Sequence, residues 1–65
     1  LCEVKVFLKS DDKLEEFMDN VVSIKPEGDK LLLIDLFGAR KYVDAELKEM
    51  KLLEHQVILG KKTSK

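Results

Sequence analysis

The sequence predicts an all-β protein, a small barrel or sandwich of five to seven short antiparallel strands. Three observations predict it. Glu3 to Lys9 alternates polar and apolar residues, as a half-buried strand does. A short apolar run, Leu31 to Ile34, lies between the turn-forming Pro26-Glu27-Gly28-Asp29 and Gly38. The other apolar segments are also short, with turn residues recurring about every 8–12 positions.

The first strand puts Val4, Val6 and Leu8 on one face. Ser10 to Lys13 is a turn by composition. Leu14 to Asn20 reads better as its hairpin partner, with Phe17 inward. A helical turn capped by Asp11 or Asp12 is the other reading, because Leu14, Phe17 and Met18 sit at helical spacing. Val21 to Lys25 is β-branched and reads as a separate strand ending at Pro26, which cannot donate to a ladder. The Pro-Glu-Gly-Asp turn should fold it back on the central strand, Leu31 to Ile34. That run is too short to span a membrane and suits a strand covered on both faces. Arg40 to Asp44 alternates weakly, with Tyr42 and Val43 as its candidates for burial. Ala45 to Leu53 is ambiguous: Leu47, Met50 and Leu53 suit a helix capped by Asp44, while a strand leading through Glu54-His55 into Gln56 to Leu59 fits as well. The expected core is Val4, Val6, Leu8, Val21, Ile24, Leu31, Leu33, Phe37, Leu47, Leu52, Val57 and Leu59. Residues 1–60 form one domain in this reading, and 61–65 a flexible basic tail.

A chain of 65 residues buries only about 60% of its unfolded surface, so it calls for a staple or a partner. A single cysteine excludes an intramolecular disulfide and leaves a metal, an oligomer or both. The 12 basic and 13 acidic residues exert no general pull on nucleic acid. With no export signal or membrane-length apolar run, the expected location is the cytoplasm.

Cys2 is the first candidate for chemistry. A cysteine near a strand start is ordinarily a small buried hydrophobe. So near the N-terminus, however, its thiolate, its own backbone nitrogen and the terminal amine can close tight chelate rings. Thiolate with nitrogen donors suits nickel or copper in square-planar geometry, whereas structural zinc prefers four side chains. A two-fold dimer would bring two such thiolates together. His55, the one histidine, falls in a turn without a partner at helical spacing and reads as exposed. Asp35 interrupts the apolar run and is expected to bond the backbone amides of the Leu36 to Gly38 turn. Phe7, Phe17, Phe37 and Tyr42 offer either core packing or a stacking platform for single-stranded nucleic acid. With no phosphate loop or nucleophile elbow, the chain is not expected to be an enzyme.

Cys2 leading into an alternating strand, Met18 to Val21, Pro26 to Gly28, Leu33 to Gly38, Lys48 to Leu53 and His55 to Leu59 together resemble the CooT family. These are small nickel-binding proteins associated with carbon monoxide dehydrogenase maturation, often labelled predicted RNA-binding proteins. The resemblance runs from Cys2 to Leu59. Asp35-Leu36-Phe37-Gly38 and the cysteine at position two are its most specific parts. Family members begin Met-Cys where this chain has Leu1-Cys2. The resemblance implies a small all-β homodimer, Ni(II) held at Cys2 of each chain, and a β-hairpin over 48–59. The function it implies is a metallochaperone or nickel buffer serving a client such as carbon monoxide dehydrogenase. A small RNA-binding barrel is the alternative.

Overall fold

The computed structural model describes residues 3–61; Leu1, Cys2 and residues 62–65 lie outside the described residues, and with them most of the expected basic tail. Six strands form one sheet: β1 (Val4–Ser10), β2 (Lys13–Glu27), β3 (Lys30–Asp35), β4 (Arg40–Val43), β5 (Glu46–Lys51) and β6 (Gln56–Gly60). A single 3-10 turn, Leu52–Glu54, joins β5 to β6. The protein is all-β as predicted, and both helical alternatives are excluded.

The strand order is β4-β3-β2-β1-β6-β5. Every pair is antiparallel except β1 with β6, the first and last strands, which run parallel from Lys5↔Gln56 to Lys9↔Gly60. This corrects the expectation of a wholly antiparallel barrel. Hairpin reasoning pairs sequence neighbours, and these two strands meet only after the chain has circled the core.

The second correction concerns β2. Leu14 to Asn20 and Val21 to Lys25 are one strand of 15 residues. It stays continuous because its breaks are bulges. Val6 faces Met18 and Phe7 faces Glu16, which leaves Phe17 extra. Another residue is inserted between Met18 and Val21, where Asn20 takes φ 56°. Val22 is extra against Asp35 and Ile34. Each bulge bends its strand and increases the local twist. The first half of β2 therefore pairs with β1 and the second half with β3. Pro26 does not end the strand, which runs on to Glu27.

Bending closes the structure. The sheet's two edges are β4 and β5, yet only Asp44 and Ala45 separate them in the chain. Three Cα steps of 3.8 Å span at most ~11 Å, so the sheet has to roll until its edges approach. Inside the roll, Val6, Met18, Val21, Leu33, Ala45, Val57 and Leu59 form the buried core, with Val4, Leu8, Phe17, Ile24, Leu31 and Val43 packed against it.

Three residues expected in the core are exposed. Phe37 is at a loop tip, Leu52 is in the 3-10 turn, and Leu47 is on edge strand β5, where no further strand covers it. Tyr42 likewise points outward from the other edge. Met18 and Ala45 take inner places instead. Leu32 and Ile58 are buried between flanking strands, opposite Lys25 and Tyr42 in one case and Phe7 and Glu49 in the other.

Candidate functional site

Cys2 lies outside the described residues, so the site is built from what surrounds the strand it leads into. The described chain begins at exposed Glu3, and β1 begins at Val4. Val4 pairs with Val21, and Val21 with Asp35. On the opposite side the Lys5 N–H donates to the His55 carbonyl at 2.9 Å, just before Lys5 pairs with Gln56. Three segments therefore converge on the start of β1: the bulged corner of β2, the loop after β3, and the turn before β6.

The loop after β3 is fully pinned. Asp35 Oδ1 accepts from the Phe37 N–H at 2.9 Å and the Ala39 N–H at 2.8 Å. The Gly38 N–H donates to the Asp35 carbonyl at 3.0 Å, and the Leu36 N–H reaches across to the Asn20 carbonyl at 2.8 Å. The Asp35 N–H in turn donates to the Ala39 carbonyl at 3.0 Å. Every amide from Leu36 to Ala39 is thus bonded, and Gly38 supplies the left-handed φ of 87° that an L-residue adopts only with strain. Asp35 does what the sequence predicts of it. What the loop presents is apolar: Leu36 is half-exposed and Phe37 is 80% exposed.

The turn before β6 is similar. His55 takes φ 56° and its N–H closes on the Leu52 carbonyl at 3.2 Å. His55 is exposed, as predicted. Leu52 is 69% and Leu53 99% exposed. Between this turn, the start of β1 and the bulged corner of β2 runs an apolar groove of about 240 Å³, whose lining includes Val4, Val22, Ile24, Met50, Leu52 and Val57. Val22 and Met50 are themselves half-exposed. Two apolar features thus make a rim near the start of β1: a knob, Leu36 and Phe37, across β2 from it, and the groove beside it. Among the described residues, no group of three His, Cys, Asp or Glu side chains is placed to hold a metal.

The aromatics divide. Phe17 packs against the core with the Lys41 ammonium 5.2 Å from its ring centroid. Tyr42 faces out in a cross-strand row with Leu32 and Lys25, and Arg40 and Lys30 share that face by strand alternation.

The family model for the CO dehydrogenase accessory protein CooT matches residues 1–60. The chain belongs to the CooT family. It is also similar to an uncharacterized protein of Methanocaldococcus jannaschii, 36% identical over 45 residues that cover 69% of this chain and 79% of that protein. Its fold matches the crystal structure of a protein assigned as CooT from Carboxydothermus hydrogenoformans. That match has a TM-score of 0.88 and 34% identity, over 95% of this chain and all of the other. The hairpin that the resemblance implies for 48–59 is present as β5 and β6. Among the described residues, no helix is long and apolar enough to cross a membrane.

Sequence reasoning did not find the rim. A usable signal was there. Asp35 and Gly38 mark a turn, and a Phe between two turn residues belongs at a tip, not in a core.

Proposed function

We propose that this CooT family member carries or buffers Ni(II) for a nickel enzyme such as carbon monoxide dehydrogenase, holding the ion through the Cys2 thiolate in a homodimer. Family membership supports the accessory role. The observation that carries the site is the apolar rim around the start of β1. Cys2 is two residues from Val4, within about 8 Å of it along the chain, so a second copy covering the rim brings two thiolates to one place. Its place beside the N-terminus and the family resemblance make Cys2 the proposed donor. A thiolate with amide nitrogen fits a square-planar ion. Carriage, not catalysis, is the role, in a cytoplasm that keeps the thiol reduced.

Titration of reduced protein with nickel should give thiolate-to-metal charge-transfer absorption saturating near one ion per two chains. Cys2→Ser should lose the absorption and the tight binding while keeping the fold. Affinity should fall with pH, because the thiol must lose a proton to bind. Unchanged binding by Cys2→Ser would refute the proposal.

The face of Lys25, Lys30, Arg40 and Tyr42 favours a second reading, a single-stranded RNA platform. It requires a fluorescent oligonucleotide to bind with affinity falling steeply with salt, and to bind more weakly after Tyr42→Ala. Salt-insensitive or absent binding removes it.

A further inference from the structure

The sheet's outward face over β2, β1, β6 and β5 holds a charged groove that neither reading above uses. Lys9 pairs with Leu14 on β2 and with Gly60 on β6. One row on, Ile58 pairs with Phe7 on β1 and Glu49 on β5. The groove there has a volume of about 450 Å³, and its lining includes Lys9, Lys13, Leu14, Glu49, Lys51 and Ile58. Such a volume lies within the ~300–1,000 Å³ of small-molecule sites. Half-exposed Leu14 and buried Ile58 make its surface partly apolar. Three strand spacings of ~4.8 Å separate β2 from β5, ~14 Å in all. Charges on these two flanking strands are therefore held too far apart to neutralise one another directly.

Neighbouring charges do pair. The Lys5 ammonium is 3.7 Å from Glu16, and the Lys48 ammonium, also on the groove wall, is 2.8 Å from Glu46. At the bulge between Leu47 and Glu49 the Lys48 stem lies over Gly60, 2.9 Å from where a Cβ would stand, so the glycine gives this cation its place. Lys9, Lys13, Lys51, Asp12 and Glu49 line the same groove, yet they form no ion pair among the described residues. We propose that the groove binds a nucleoside phosphate. The free ammoniums of Lys9, Lys13 and Lys51 take the phosphate, for which lysine serves as a point charge. Asp12 and Glu49, acceptors only when ionised, take sugar hydroxyls and base amines. Leu14 and Ile58 meet the face of the base. The mixture of signs selects this ligand. A bare polyanion or an acidic peptide would meet two carboxylates as like charges, and a neutral nucleoside would leave three ammoniums unused.

The groove is separate from the nickel reading and from the face of Lys25, Lys30, Arg40 and Tyr42, which belongs to β2, β3 and β4. AMP titrated into nitrogen-15-labelled protein should shift the amides of Lys9, Leu14, Glu49 and Ile58 and approach saturation by ~5 mM. Adenosine and inorganic phosphate should each bind about tenfold more weakly, because each meets only part of the groove. Lys9→Gln combined with Lys51→Gln should weaken AMP about tenfold and leave the amide spectrum elsewhere unchanged. Glu49→Ala separates recognition from mere charge: it should weaken AMP and strengthen inorganic phosphate. A tetraadenylate probe distinguishes the source of the ligand. Affinity equal to that of AMP marks a free nucleotide, and affinity rising with length at the same amides marks a nucleotide within a single strand. Absent shifts at ~5 mM AMP, or shifts centred on Arg40 and Tyr42, overturn the proposal. So does phosphate binding as tightly as AMP, or AMP binding more tightly to Glu49→Ala, either of which reduces the groove to an unselective cationic surface.

Discussion

Two sets of turns serve this barrel, built by similar chemistry and finished differently. The tips that join β1 to β2 and β2 to β3 are Asp11-Asp12 and Gly28-Asp29, with left-handed φ at Asp11 and Gly28. The segments around the start of β1, Leu36 to Ala39 and Leu52 to His55, also rest on an Asp, a Gly and a left-handed residue. The first set shows solvent only charge and backbone. The second shows Leu36, Phe37, Leu52 and Leu53. Backbone geometry demands the Asp and the Gly in both sets but demands the leucines and the phenylalanine in neither. The difference sets the two ends of β1 apart, charge and backbone beyond Ser10 and an apolar rim before Val4.

The hardest way to break that comparison is to ask whether the rim residues hold the fold. Leu33 is fully buried and Phe37 is 80% exposed. Leu33→Ala should cost about 2–5 kcal/mol. That is a large share of the ~3–10 kcal/mol expected of a chain this size, so the variant should be largely unfolded at 37 °C. Phe37→Ala should change the stability of the monomer by less than ~0.5 kcal/mol. Urea titrations of both in the Leu52→Asp background, which interrupts the apolar rim, decide the matter. A Phe37→Ala loss as large as that of Leu33→Ala would make the knob a core element and end its reading as a contact.

A smaller effect sharpens the comparison by loosening the knob without removing it. Asp35→Ala deletes the acceptor of two amides, at 2.9 and 2.8 Å, and should cost about 1–3 kcal/mol. Gly38→Ala meets no atom within 4 Å, so its cost is the left-handed φ alone, roughly 1–2 kcal/mol. If preorganisation of the loop matters, both variants should also weaken the proposed dimer although neither alters the Phe37 side chain. Sedimentation of Asp35→Ala with the dissociation constant of the parent would show that a floppy knob serves as well as a fixed one.

How much of this was legible depended on whether a residue's fate was set locally. Val4, Val6 and Leu8 follow from alternation, and the turns at Asp11 and Gly28 follow from their residue types. The role of Asp35 is legible because an Asx turn involves only four neighbouring residues. The parallel pairing of β1 with β6 was not legible, since no local pattern distinguishes the direction from which a distant strand arrives. The unity of β2 was hidden because bulges at Phe17, near Asn20 and at Val22 shift the alternation in mid-strand and so imitate a break. The apolar character of Leu47 points to the core; its exposure follows from β5 being an edge, a property of the whole sheet. Position and family resemblance single out Cys2, which lies outside the described residues; the rim around the start of β1 is built from three segments far apart in the chain, which no local pattern joins.

The smallest effect concerns the backbone under each set of turns. Asp11 and His55 adopt nearly the same left-handed φ, 55° and 56°, one at a polar tip and the other beneath the rim. Asp tolerates this region better than most residues because its short side chain bonds locally, so Asp11→Gly should gain little. The His55 side chain is exposed, and its backbone holds the Leu52 carbonyl and receives the Lys5 N–H. Neither bond involves the imidazole. His55→Gly should therefore relieve strain while keeping both bonds, a net gain of up to ~0.5 kcal/mol after the extra entropy of an unfolded glycine is subtracted. The urea midpoint at fixed chain concentration, with an unchanged slope, reads this directly. A loss of 1 kcal/mol or more would mean that the imidazole supports the turn that presents Leu52 and Leu53, and would tie that half of the rim to a histidine that nothing else in the fold requires.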